Sequence, residues 1–165
     1  MLFHFAAGTH EIQNGAWQDK SHQATAQVVG APKFVNTGPT EGLVFYDGDY
    51  LSLAKNLDEA KKLLHQRAMT VSVCVRLEDT AERCGLVGFL SDSKARQQGW
   101  VLGFNRNSFV FGLATAGNDP ATSRLTYVPA TTKIEKGRWY YVAATYDGQA
   151  APTAESGRPR LTKVM

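Results

Sequence analysis

The chain has 165 residues, of which 20% are charged and 43% are hydrophobic, and its formal net charge is +3. This is the composition of an ordinary globular domain, and the sequence contains no low-complexity tract. The basic residues are scattered and no apolar run approaches the roughly 20 residues that cross a bilayer, which argues against nucleic acid as a partner and against membrane insertion.

Short strands dominate the predicted elements. A polar loop follows the first strand as far as Gln23, and Gly, Pro, Asn and Asp separate the later ones. The strands are predicted at Leu2–Phe5, Ala26–Val29, Lys33–Val35, Leu43–Tyr46, Tyr50–Leu53, Met69–Leu77, Leu86–Leu90, Trp100–Phe104, Phe109–Leu113, Leu125–Val128 and Trp139–Tyr146. Strands at this spacing predict an all-β fold, an antiparallel β-sandwich of the jelly-roll type.

One short helix interrupts the strands. Its predicted span is Leu57–Gln66, with Asn56 as the N-cap and an apolar stripe that includes Ala60 and Leu63.

The strand at 139–146 places alternate residues on two faces, and neither face is polar. We therefore expect both faces to be covered, as in a sheet packed on another sheet. The residues predicted to form the core are Val71, Val73, Val75, Phe104, Trp139 and Val142.

Three segments carry a resemblance to a known family. They are GLVFYDGDYLSL, MTVSVCVRL and GRWYYVAATYDG, in that order along the chain, and WQDKSHQATAQVVGAPKFV is similar to the opening of the same family. The chain resembles the laminin-G-like jelly-roll domains of the concanavalin A-like lectin/glucanase superfamily from about Trp17 to Gly148. One departure is Cys74, where the family usually carries Trp.

The resemblance implies one domain over residues 1–148, followed by an irregular tail over 149–165. The family continues after Tyr-Asp-Gly with further strands, whereas this sequence continues with Pro152 and Pro159. We therefore expect a truncated fragment of a larger protein. The resemblance also implies an extracellular or cell-surface location, although residues 1–12 have neither the basic leader nor the sustained apolar segment of a secretory signal.

Catalysis is not predicted. Glycosidases of this superfamily place two carboxylates on one strand, and no predicted strand carries such a pair. The sequence instead favours a non-catalytic recognition module that binds carbohydrate or a glycosylated protein. The alternative is a structural or protein-binding accessory domain attached to a secreted hydrolase.

The candidate ligand-binding residues are exposed aromatics that a sugar ring could stack on. Trp17, Tyr50 and Tyr127 are the candidates, while Trp100 and Trp139 are expected to pack in the core. Calcium is the candidate cofactor, and by family resemblance Asp19 and Asp47 are its candidate ligands. Asp47 also lies in a turn, where Asp is favoured for its backbone hydrogen bonds alone.

The two cysteines leave two interpretations open. If the strands at 71–77 and 86–90 form a hairpin, Cys74 and Cys84 lie opposite each other and a disulfide suits an extracellular domain. If those strands belong to different sheets, each cysteine is a small apolar residue instead.

Overall fold

The computed structural model describes residues 12–13, 15–18, 25–36, 41–56, 58–60, 68–80, 83–92, 97–115 and 124–147. The chain divides into two compact units, residues 1–64 and 65–165. The described elements are almost entirely antiparallel strands, so the predicted all-β sandwich class is confirmed. The sequence-based domain of 1–148 stays a prediction, and the predicted tail and the first predicted strand lie outside the described residues.

The described residues of the first unit form six short strands. They are β1 (Ile12–Gln13), β2 (Ala16–Gln18), β3 (Thr25–Val29), β4 (Lys33–Asn36), β5 (Glu41–Val44) and β6 (Tyr50–Ser52). Strands β1, β2, β3 and β6 form one antiparallel sheet in that order, and β4 pairs with β5. Two of these strands fall in the predicted polar loop, because β2 pairs with β3 through Trp17 and Ala26, a contact that local composition does not reveal.

The predicted helix is described only at 58–60, which is helical, and the rest of its span lies outside the described residues. Its predicted N-cap is confirmed. The Asn56 Oδ1 atom accepts hydrogen bonds from the backbone N–H groups of Asp58 and Glu59 at 3.1 and 3.0 Å. The Glu59 carboxylate accepts a bond from Lys55 N–H at 2.9 Å, which satisfies a further donor at the start of the helix.

Six longer strands form the described part of the second unit. They are β7 (Ala68–Arg76), β8 (Arg83–Asp92), β9 (Gln97–Asn105), β10 (Ser108–Thr115), β11 (Arg124–Lys133) and β12 (Trp139–Asp147). A four-stranded sheet has the order β11-β10-β9-β8, and β12 pairs with β7 along their whole length. All of these pairings are antiparallel.

The core of the second unit lies between the four-stranded sheet and the β7–β12 pair. The Phe109 ring of β10 meets the Tyr140 ring of β12 edge to face, with centroids 5.3 Å apart. The buried tyrosine accepts a hydrogen bond from the backbone N–H of Glu135 at 2.8 Å, so its hydroxyl is satisfied. The other buried side chains of these strands are Trp100, Leu102, Phe104, Val110, Phe111, Val142 and Ala144.

The predicted core is confirmed at Val142 and Phe104, which are 0% and 4% exposed, whereas Val71, Val73 and Val75 are half-buried. The prediction for Trp139 is wrong, since this side chain is 40% exposed. The face that it shares with Tyr141 is open, not covered. The physical reason is that the four-stranded sheet packs on the other face of β12, where Phe109 meets Tyr140. On the open face the Arg76 guanidinium of β7 lies 5.6 Å from the Trp139 ring centroid.

Of the two interpretations left open for the cysteines, the structure has the one in which the strands belong to different sheets. Strand β7 pairs with β12, while β8 pairs with β9, so the two cysteines lie in different sheets. Cys74 and Cys84 are free, which excludes the disulfide, and both are exposed, so neither behaves as a buried apolar residue.

Candidate functional site

The second unit has one sheet face on which four glycines lie among larger side chains. The strand registers place Gly85 and Gly88 of β8, Gly103 of β9 and Gly112 of β10 on the side of the four-stranded sheet opposite its aromatic core. We call this side, together with Val101 and Val110, the glycine face. An isolated glycine within a strand indicates close approach of another group to the backbone, so a face with four of them is a candidate binding surface.

Backbone packing alone explains some of these glycines. A Cβ atom on Gly103 would lie 2.2 Å from the carbonyl oxygen of Cys84, and one on Gly88 would lie 3.1 Å from that of Trp100. Gly112 differs, because a Cβ there would meet a side chain: the Tyr127 ring, at 2.8 Å from its Cε1 atom. The absence of a side chain at Gly112 is therefore what lets the Tyr127 ring lie across the sheet.

Tyr127 meets a cation above the middle of the glycine face. Its side chain is 39% exposed, and the Arg83 Cζ atom lies 5.9 Å from the ring centroid. The two residues come from β11 and β8, which are the outer strands of the sheet, about 14 Å apart at ordinary strand spacing. Each side chain therefore reaches inward over the central strands, and the pair presents a ring face beside a guanidinium, the combination that binds an apolar surface edged with hydrogen-bond acceptors.

A concave region of about 480 Å³ lies at the end of this face where β9 turns into β10. Its described polar lining consists of Arg83, Asn105, Arg106, Asn107 and Ser108. Val110 and Pro129 complete the described lining. The register between β10 and β11 shifts here, with two steps along β10 opposite four along β11, and this bulge opens the sheet beside Pro129.

Arg106 holds an unusual backbone conformation at this turn. It is the first of two residues that join β9 to β10, and its φ is 54°, the one non-glycine value in the left-handed region among the described residues. A residue with a Cβ atom loses roughly 1–2 kcal/mol in this region, which glycine avoids. Strain of this kind concentrates at functional sites.

The sequence-predicted site residues fall in different places. Trp17 lies in β2 and is only 6% exposed, so its ring is packed and is not presented to a ligand. Tyr50 is 54% exposed at the start of β6. Tyr50 and Trp17 belong to the first unit and Tyr127 to the second. Of the three, Tyr127 has a described cationic partner beside its ring.

The predicted calcium ligands are Asp19 and Asp47. Asp19 lies outside the described residues, and Asp47 is exposed in the turn before β6. In the described part of the chain, no three His, Cys, Asp or Glu side chains converge on a point that could hold a metal ion. The neighbouring Asp49 carboxylate is used by the fold, because it accepts hydrogen bonds from Ala31 N–H and Tyr46 N–H, both at 2.9 Å.

Sequence reasoning missed Arg83, Arg106 and the glycine face. A signal was present, since Gly88, Gly103 and Gly112 each interrupt a predicted strand. Nothing local showed that they share one face, because the strand registers decide that.

Comparison with known proteins gives one match. The family model described as the concanavalin A-like lectin/glucanases superfamily matches residues 46–154. No curated protein and no solved structure matches the chain. Within the described residues, no helix has the length and apolar character that a membrane span requires.

Proposed function

Because the chain belongs to the concanavalin A-like lectin/glucanases superfamily, we propose that it is a non-catalytic module that binds carbohydrate on the glycine face. The observation that carries this proposal is the Tyr127 ring, exposed above Gly112 with Arg83 beside it. The C–H face of a sugar packs on such a ring while its hydroxyls accept hydrogen bonds from the guanidinium.

The proposal includes an extracellular setting within a larger protein, with a glycan or a glycosylated protein as the partner. Jelly-roll scaffolds carry their functions in added sites, so the domain class alone names no ligand. Calcium, with Asp19 and Asp47 as its ligands, stays a prediction from the family resemblance.

The alternative function is a structural or protein-binding accessory domain. It is favoured by the other exposed aromatic pair, Trp139 and Tyr141, which are 40% and 52% exposed two residues apart on β12. Exposed apolar surface of this kind is a common feature of protein interfaces.

The decisive experiment is a glycan array followed by titration calorimetry, with the wild-type chain, Tyr127→Ala and Tyr141→Ala. The two variants remove the same exposed side chain from different sheets, so they are matched controls. We expect Tyr127→Ala to weaken glycan binding roughly tenfold or more, as the loss of a central aromatic contact does, and Tyr141→Ala to leave it unchanged.

The opposite pattern would move the binding surface to the β7–β12 pair. If no glycan binds to the wild-type chain, with calcium or with a chelator, the carbohydrate proposal is wrong and the accessory role is favoured. Glycan binding that occurs with calcium and is lost when a chelator is added would support the calcium prediction.

A further inference from the structure

The concave region at the β9–β10 turn is rich in hydrogen-bond donors and cations. Arg83 and Arg106 both line it, together with two asparagines and Ser108. The Lys133 Nζ atom lies 3.2 Å from the Ser108 Oγ atom, which brings a third cation to the same end of the face. The described lining contains no Asp or Glu, so no lining carboxylate neutralises these charges.

The described ion pairs of the second unit lie elsewhere. They join Arg76 to Glu78, Lys136 to Asp79 and Arg138 to Glu135. Arg83 and Arg106 make no ion pair with any described residue. Arginines that converge on a concave surface without a carboxylate create a positive potential that attracts anions.

The turn that carries Arg106 is held in place by its backbone. The N–H of Ile134, a buried residue, donates a hydrogen bond to the Asn107 carbonyl at 2.8 Å, and Asn105 pairs with Ser108 across the turn. The Arg106 guanidinium therefore extends from a fixed point, in a backbone conformation that glycine would adopt with less strain. A fixed backbone beneath the side chain reduces the ordering that a bound anion has to impose.

We propose that this region binds an oxyanion group, a carboxylate, sulfate or phosphate, held by the guanidinium groups of Arg83 and Arg106. Planar guanidinium donors match the paired oxygens of such groups. Arg83 also contacts Tyr127, so an anion at this point lies beside the ring proposed to stack on sugar. Resting on the proposed function, the inference is that the glycan carries an acidic substituent.

The experiment uses three probes at low ionic strength: inorganic sulfate, glucuronate and the neutral sugar glucose. Binding is followed by ¹⁵N NMR of the backbone amides at 105–108 and of the arginine side-chain Nε–H groups in the whole chain. We expect sulfate and glucuronate to shift the amide signals of 105–108 and the Nε–H signal of Arg106 saturably, and glucose to leave those signals in place. Glucuronate, unlike sulfate, should also shift the signals of Tyr127, because it carries a sugar ring as well as the charge.

The variant Arg106→Gly separates function from folding. It removes the guanidinium while relieving the positive-φ strain, so the melting temperature should rise while anion affinity falls at least tenfold. Arg106→Asn is a second variant whose side chain also tolerates this backbone region. Arg138→Ala is the control, since it removes one positive charge from a surface position outside the pocket and should leave anion affinity unchanged.

Each outcome decides a separate point. Equal loss of affinity in Arg138→Ala and Arg106→Gly would show non-specific charge attraction and overturn the site. Glucose-like sugars that bind through Tyr127 as tightly as their acidic forms would also overturn it, while the carbohydrate function would stand. Saturable sulfate binding without any glycan binding would support the anion site and refute the proposed function.

Discussion

Adding one methyl group at Gly112 tests whether the orientation of the Tyr127 ring matters for binding. The new Cβ would lie 2.8 Å from Cε1 and 3.1 Å from Cδ1 of that ring, against an ordinary carbon–carbon contact of about 3.5–4.0 Å. The ring must therefore move by roughly 0.7 Å or more, because its side chain is exposed and the strand backbone is not free to give way. Gly112→Ala thus displaces the proposed stacking surface while Tyr127 itself stays intact.

The effect on stability should be small. Alanine within a strand is favoured over glycine by about 0.5–1 kcal/mol, and the crowding at an exposed ring that can move offsets a similar amount. The effect on binding should be larger, because a tilted ring loses contact with the sugar face, and a loss of about 1.4 kcal/mol weakens affinity tenfold. Calorimetric titration with the glycan selected on the array measures the affinity, and urea unfolding measures the stability.

The control is Gly85→Ala, which adds a methyl group to the same face against Val101 Cγ2 at 3.2 Å and away from Tyr127. We expect it to bind the glycan like the wild-type chain. Wild-type affinity in Gly112→Ala, with Tyr127→Ala strongly impaired, would refute the argument that the ring must lie across the sheet. It would show that the tyrosine binds in some other orientation.

Two further predictions concern the fold. Val142→Ala should lower the free energy of unfolding in urea by about 2 kcal/mol, because it empties two buried methyl positions. Ser72→Ala, on the exposed face of β7, should change that free energy by less than about 0.5 kcal/mol. Equal values for the two variants would mean that the faces are wrongly assigned. The hydrogen bond and charge of Lys136 hold the pKa of Asp79 below its ordinary 3.8. The ionised carboxylate therefore stabilises the fold above pH 3.8, and this contribution is lost as the pH falls through the lowered pKa. Asp79→Asn should therefore melt below the wild type at neutral pH and together with it well below pH 3.8, and a difference that does not change with pH would contradict this cause.

Alternation along single strands was enough to predict much of the fold. The period-two pattern of β7 and β12 placed Val142 and Ala144 on one face and Trp139 and Tyr141 on the other, as the structure has them. The Asn56 cap was predictable because it is also a local feature: its hydrogen-bond partners lie two and three residues away. The segments quoted for the family resemblance led to the superfamily that the family model also matches.

Which face of β12 is covered was not a property of that strand. Its two faces are about equally apolar in sequence, and the choice comes from Phe109 of β10 packing on Tyr140, while Arg76 of β7 covers part of Trp139. The positions of the two cysteines also depend on strand pairing and not on local sequence. Cys74 and Cys84 are ten positions apart, yet strand pairing places them in separate sheets.

The sequence by itself determined the class of fold, the strand positions in the second unit and Tyr127 as a candidate binding residue, because each depends on residue type and local period. Only the tertiary structure decided that Tyr127 lies across Gly112, that Arg83 reaches it from the far edge of the sheet, and that Arg106 and Arg83 line one concave region. These relations join residues of three different strands and one turn. Strand register sets them, and it is fixed by the packing of the whole sheet, which no local pattern in the chain contains.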